Sequence, residues 1–219
     1  MKKFCHIVSM FEAALVTATL SLEAQSSTTH DAGPAIFYID RMDPVRGTKM
    51  ESVFGSLDSP PSRILATRGP GGHEGKEGNG KSSLKIVCQL QPDPVKPAEW
   101  PGSSAYFTSL KKGDNYFDAS GFNYLSFWIR GDAGDEKLQA AFVDKQGKED
   151  GKWSDSGPIE SYTERGRIDT EWQKVKIPVD LFKVNTRELY QLLILFDNRF
   201  YDSIKPRTVT VYLDDLAFE

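Results

Sequence analysis

Residues 121–131 read Gly-Phe-Asn-Tyr-Leu-Ser-Phe-Trp-Ile-Arg-Gly, and this stretch restricts the fold more than any other. Side chains alternate along an extended chain. Leu125, Phe127 and Ile129 therefore share one face, and Tyr124, Ser126, Trp128 and Arg130 share the other. The first face is wholly apolar; the second carries aromatic rings and polar tips. The pattern predicts an interior strand of a two-layer antiparallel sheet protein, with one face in the core and one partly open.

Other segments can be placed around it. Residues 35–40, 49–57, 63–67, 83–90, 105–110, 115–120, 137–144, 159–163, 171–177 and 208–218 read as further strands or their approaches. Residues 189–196 are apolar on both faces apart from Gln191, which suits a strand buried on both sides, with a short helix as the rival reading. Between them lie turns and loops. The 91–102 loop carries four prolines and Trp100, the polar 145–158 loop carries Trp153, and 178–182 reads as a turn or a single helical turn. About ten short strands punctuated by turns, without a long helix or an internal repeat, predict an all-β sandwich or jelly roll.

The glycine-rich 69–81 segment ends in Gly80-Lys81-Ser82 and, counted from Gly75, matches the bare string of a phosphate loop. Such a loop needs a buried strand before it and a helix after it. Here Thr67-Arg68 precedes it and the strand-like 83–90 run follows, so nucleotide binding is set aside.

Composition narrows the function classes. The chain has 219 residues, 39% hydrophobic and 26% charged, with a net charge of −4 and no apolar run long enough for a membrane span. A mildly acidic chain without a basic block argues against nucleic acid. Residues 1–24 read as a secretory signal: Lys2 and Lys3 open it, an apolar stretch interrupted by Glu12 follows, and Ala24 suits cleavage. Residues 25–34 read as a loose segment and 35–219 as one sandwich domain. Cys5 leaves with the signal. Cys88 then stands alone on a strand face with Leu84, Ile86 and Leu90, as a buried small hydrophobe rather than a nucleophile. His30 and His73 lie in loose segments, and no Ser-His-Asp, Cys-His or paired-carboxylate arrangement stands out. The expectation is a protein that is not an enzyme.

Three motifs occur in order: residues 121–131 above, Thr-Glu-Trp-Gln-Lys-Val-Lys-Ile-Pro-Val-Asp-Leu-Phe at 170–182, and Val-Tyr-Leu-Asp-Asp-Leu-Ala-Phe at 211–218. Together they resemble the galactose-binding-like jelly rolls that serve as non-catalytic carbohydrate-binding modules, nearest to the family 11 modules and the domain of the complex I intermediate-associated assembly factor. The likeness spans roughly 35–219 and is firmest from 121 on. It implies a β-sandwich, often with a structural calcium and often with a sugar site on the concave sheet. For calcium, the resemblance puts Asp43 in the place of the family's glutamate and Asp214 and Asp215 in the acidic pair of the last strand. Arg41-Met42 departs from the family pattern there. Several oxygens in flexible geometry suit calcium.

Sugars offer apolar C–H faces for aromatic rings and hydroxyls for planar polar groups. Trp100, Tyr106, Trp128, Trp153 and Tyr162 are the candidate stacking residues, and Arg130, Asp144 and Asp197 the candidate polar contacts. The loop tryptophans Trp100 and Trp153 have least core to fill. Trp128 and Trp172 stand in motifs that such a fold uses for packing. The leading expectation is an exported, non-catalytic protein that binds a polysaccharide or glycan. The rivals are a structural or assembly domain that binds a protein partner, and a small glycan-active hydrolase or lyase.

Overall fold

The computed structural model describes residues 36–40, 42, 54–73, 82–201 and 204–219. The expected leader, the 25–34 segment, Asp43 and most of the glycine-rich loop lie outside them. Two antiparallel sheets face each other. One contains β3 (Arg63–Pro70), β4 (Ser82–Leu90), β11 (Arg207–Phe218), β6 (Tyr124–Gly131) and β9 (Gln173–Pro178), in that order. Its sixth strand, β1 (Phe37–Asp40), pairs with the far end of β11. The other runs β2 (Phe54–Asp58), β5 (Ser103–Ser109), β10 (Leu189–Asp197), β7 (Gln139–Asp144) and β8 (Ser154–Pro158). The expected sandwich of antiparallel layers is what the chain forms.

The 121–131 stretch holds the place its alternation predicts. It is β6, interior to the six-stranded sheet between β11 and β9. Leu125, Phe127 and Ile129 have no exposed surface, while Trp128 and Arg130 face outward and are half-buried. A one-residue slip would reverse the two sets, so the buried face also fixes the register. The observed register sets Phe127 opposite Val175 and Ile129 opposite Leu213. Truncating Phe127 to alanine removes a fully buried ring and costs about 3–5 kcal/mol. On β4, Leu84, Ile86, Cys88 and Leu90 point into the same core. Burial pushes the Cys88 thiol up to about 12, which suits a packing role.

Several segments differ from their sequence readings, among them residues 154–158, which form β8 where a loop was expected. Residues 145–150 form a short helix, α1 (Lys145–Asp150), where a loop was expected. Asp144 caps its start by accepting the Gly147 N–H at 2.6 Å, and Gly151, at φ +65°, ends it in the left-handed conformation. Residues Ile159–Tyr162 form a 3-10 turn instead of a strand: Ile159 is the buried member of the turn, and Pro158 holds the chain extended just before it. β10 is not buried alike on both faces. Leu192, Ile194 and Phe196 join the main core, whereas Gln191 and Leu195 remain partly open on the outer face.

Candidate functional site

The sequence-derived residues divide between the outer faces of the two sheets, and some belong to neither. Tyr106 is turned into the core with 3% of its surface exposed, where burial raises its phenol; it cannot stack on a ligand. Tyr162 packs against the core, and its hydroxyl donates to the Ser156 carbonyl at 2.7 Å. Asp144 accepts the α1 cap amide with one oxygen and the Asn185 amide at 2.7 Å with the other, so its carboxylate is held to the α1 segment.

Trp128 and Arg130 lie on the outer face of the six-stranded sheet, which the protein's own side chains occupy. The His73 ring stacks on Trp128 with centroids 3.5 Å apart and planes 12° from parallel. The His73 N–H donates to Asp214 Oδ2 at 2.8 Å, fastening this segment to β11 directly opposite Trp128. Gly72 permits the approach: an added Cβ would lie 2.2 Å from the Ser82 carbonyl oxygen. Arg130 lies between two rings, 3.7 Å from the Tyr212 centroid and 5.5 Å from that of Trp172.

The acidic pair of the last strand divides as well. Asp214 accepts from the Asp215 amide with one oxygen and from the His73 amide with the other. Asp215 is buried at φ +46°, inside the register shift between Asp214 and Ala217. Asp40, nearby on β1, accepts from the Met42 N–H and is paired with Arg68. Among the described residues no group of three or more metal-capable side chains forms.

The outer face of the five-stranded sheet is open. It holds a groove of about 610 Å³ whose floor is apolar, formed by Leu57 on β2, Ala105 on β5, Leu193 and Leu195 on β10, and Val143 on β7. Cross-strand register explains the row: Leu57 lies opposite Ala105, and Ala105 opposite Leu195. The rim is polar, with Gln139 and Gln191 on the strands, Lys148 and Lys152 from α1 and its exit, Asp155 on β8, and Asp197 with Arg199 at the end of β10. Trp153 stands on this rim with 57% of its surface in water. Its segment is compact: Lys152 N–H returns to the Gly147 carbonyl at 2.8 Å, and Ser154 Oγ accepts from Lys183 N–H at 2.9 Å.

Asp197 is buried and accepts from Arg199 through Nε at 3.0 Å to both oxygens, with Nη2 adding a further bond. This hydrogen bonding raises the Arg199 pKa further. The guanidinium is therefore held in one plane while its side chain remains 74% exposed. Arg199, Lys148, Lys152 and the two glutamines were not singled out from the sequence. The available signal was the Asp-Asn-Arg run directly after the apolar 189–196 segment, together with the polar residues flanking Trp153.

Comparison with known proteins agrees with this architecture. A family 11 carbohydrate-binding module of Clostridium thermocellum, solved with a β-1,3-1,4-mixed-linked tetrasaccharide, superposes with a TM-score of 0.57 at 11% identity, over 85% of this chain and 96% of that one. The family 30 module of a Clostridium thermocellum cellulosomal cellulase gives 0.56 at 20% identity, over 84% and 97%. These likenesses are of fold. No curated protein matches the sequence. The family model for carbohydrate binding domain 30 matches residues 73–219, about two thirds of the chain and the eight strands from β4 to β11. This chain belongs to that family and is a non-catalytic carbohydrate-binding module of jelly-roll fold.

Proposed function

We propose that the chain is exported and binds a polysaccharide along the groove of the five-stranded sheet. Trp153 stacks on a sugar ring, the apolar floor takes C–H faces, and the glutamines and Arg199 meet hydroxyls. The observation that carries this reading is Trp153 itself. A tryptophan left mostly in water at the lip of an apolar groove, on a tied backbone, contributes little to folding and is well placed for a ligand. A β-glucan is the first glycan to test, because the family 11 module was solved with a mixed-linked tetrasaccharide.

Affinity electrophoresis against plant, algal and bacterial polysaccharides, with mixed-linked β-1,3-1,4-glucan first, tests the proposal. Retardation by a glycan is expected, and Trp153→Ala should abolish it while shifting the thermal midpoint by less than about 2 °C. A large fall in midpoint would make Trp153 a packing residue. No retardation on any glycan would turn the groove toward a protein partner. Export is tested by the mass of the protein recovered outside the cell, which should lack the residues read as a leader.

A calcium ion is a separate part of the proposal. Asp43, Asp214 and Asp215 would hold it, Asp215 lying in the left-handed bulge of the last strand. A thermal midpoint that rises with calcium over EDTA supports the ion. An unchanged midpoint removes it.

A further inference from the structure

We infer that the glycan path continues past the groove, crosses Arg199, and ends in a second subsite under Trp100, with Asp197 as the residue that positions the crossing. This rests on the reading of the groove given above. A smaller cavity of about 130 Å³ lies beside the groove, with Pro60, Pro61, Gln91 and Trp100 in its wall. The two spaces share Ser59, Ser103, Asp197 and Arg199. They are neighbours on either side of one guanidinium.

Trp100 is 66% exposed, yet its backbone is fixed at several points. Its N–H donates to the Lys96 carbonyl at 3.0 Å, and its carbonyl accepts from Asp93 N–H at 2.9 Å. The next two carbonyls are held from the turn that follows β10: the buried Asn198 side chain donates to Pro101 O at 2.6 Å, and Asn198 N–H donates to Gly102 O at 3.0 Å. Gly102 adopts φ +97°, and an added Cβ would lie 2.7 Å from the Gln91 carbonyl oxygen, so only glycine turns the chain here. An indole held in water by a rigid backbone has little ordering entropy left to lose when a ring stacks on it.

Arg199 supplies the crossing. Asp197 takes the Nε–H and one Nη2–H, which leaves the opposite edge of the guanidinium, with its remaining N–H donors, facing out. Its charge is balanced by Asp197, so the edge presents directed donors without a strong net field. Sugar hydroxyls fit such an edge. Without Asp197 the same side chain would sample many rotamers and donate in no fixed direction.

The two tryptophans lie at opposite corners of the sheet. Ser154, next to Trp153, is opposite Phe142 and so in line with Leu192, while Ser103, three residues after Trp100, is opposite Asp197. Three strand spacings and five residues of rise separate those positions by roughly 20–25 Å. One or two sugars cannot reach both tryptophans, so chain length reports the second subsite.

Isothermal titration of the full chain with the tetrasaccharide and the octasaccharide of mixed-linked β-1,3-1,4-glucan tests this. The unaltered protein should bind the octasaccharide at least about ten-fold more tightly. Trp100→Ala should lose that gain and keep tetrasaccharide affinity within about two-fold, whereas Trp153→Ala should lose both. Arg199→Ala, at an exposed side chain, should also lose the gain. Asp197→Asn should match it, and should add no further loss when Arg199 is already alanine; a merely structural Asp197 would add one. Equal affinity for the two lengths, or Trp100→Ala indistinguishable from the unaltered protein, overturns the second subsite while leaving the groove intact. Trp153→Ala without effect, or no binding of either oligosaccharide, overturns the groove reading itself.

Discussion

Asn198→Ala probes the link between the fold and the Trp100 end of the path. The Asn198 side chain has no exposed surface, and its amide donates to Pro101 O at 2.6 Å across a separation of 97 residues. Pro101 is itself buried, so water cannot replace the lost donor. An orphaned buried carbonyl costs about 1–3 kcal/mol. Part of this is returned, because Asn198 Oδ1 is buried without a hydrogen-bond partner among the described residues and its removal relieves that burden. The net loss should be about 1–2 kcal/mol. For a domain of this size each kcal/mol lowers the midpoint by about 2–4 °C, so scanning calorimetry should record a fall of about 2–8 °C. The backbone bond from Asn198 to Gly102 survives, so the domain still folds, but the 100–102 segment loses one of its two ties to Asn198, the residue after β10. Octasaccharide affinity should therefore fall while tetrasaccharide affinity holds. A midpoint within 1 °C of the unaltered protein would refute the claim that this bond carries the segment. A stability loss with octasaccharide binding intact would refute its connection to Trp100.

Three further perturbations test other parts of the account. The buried Glu136 carboxylate accepts from the Asp132, Ala133 and Gly134 amides at 2.6–2.9 Å; Glu136→Gln should orphan one amide and weaken the others, costing about 2–4 kcal/mol in chemical denaturation, and an unchanged midpoint would be inconsistent with this role. Gly72→Ala drives a Cβ to 2.2 Å from Ser82 O and 2.8 Å from Asp214 Oδ2; it should lift His73 from Trp128 and appear as altered tryptophan emission with glycan binding preserved. Burial alone would raise the Glu219 carboxyl, but hydrogen bonds from Lys174, Lys176 and Ser126 hold it at about 2. A depressed folded value means stability that is present above the ordinary carboxylate range and lost as pH falls through about 2, so Glu219→Gln should cost about 1 kcal/mol at pH 7, after solvent screening, and progressively less as the pH is lowered to 2.

The strands most legible in the sequence were those with one face wholly in the core. β6, β4 and β11 alternate cleanly because a single-residue slip would bury Arg130, Lys85 or Tyr212, and their boundaries fell within a few residues of the structure. The α1 helix was hidden because Lys-Gln-Gly-Lys-Glu-Asp has no apolar stripe, although Asp144 and Gly151 were both present as end signals. Tyr106 and Phe107 are adjacent aromatic residues, and alternation alone cannot say which of them faces the core; the pairing with β10 decides it. The groove was the least legible feature. Its floor comes from β2, β5, β10 and β7, which meet only through a strand order that skips along the chain. Trp153 and Asp197 were recognisable as residue types, but the neighbours that give them a role, Arg199 and Leu195, become visible only once those strands are side by side.

The two outer faces show why aromatic content alone is a poor guide to a binding surface. The six-stranded sheet carries Trp128, Trp172 and Tyr212 on its outer side, yet each ring already has a partner: His73 lies on Trp128, and Arg130 lies between the other two. Ligand stacking there would have to displace contacts the fold has already made, and the Asp214 bond that holds the His73 segment would oppose it. The five-stranded sheet also has rings on its outer side, Phe107 and Tyr190, packed against Val143 and Leu193, but Trp153 and Trp100 stand largely in water on tied backbones beside a groove with an aliphatic floor. The proposal that binding belongs to the second sheet rests on that difference. A surface can take a ligand where its side chains are held in position by bonds made beneath them, as Asp197 holds Arg199 and Asn198 holds the segment after Trp100, while their outward edges are left unspent.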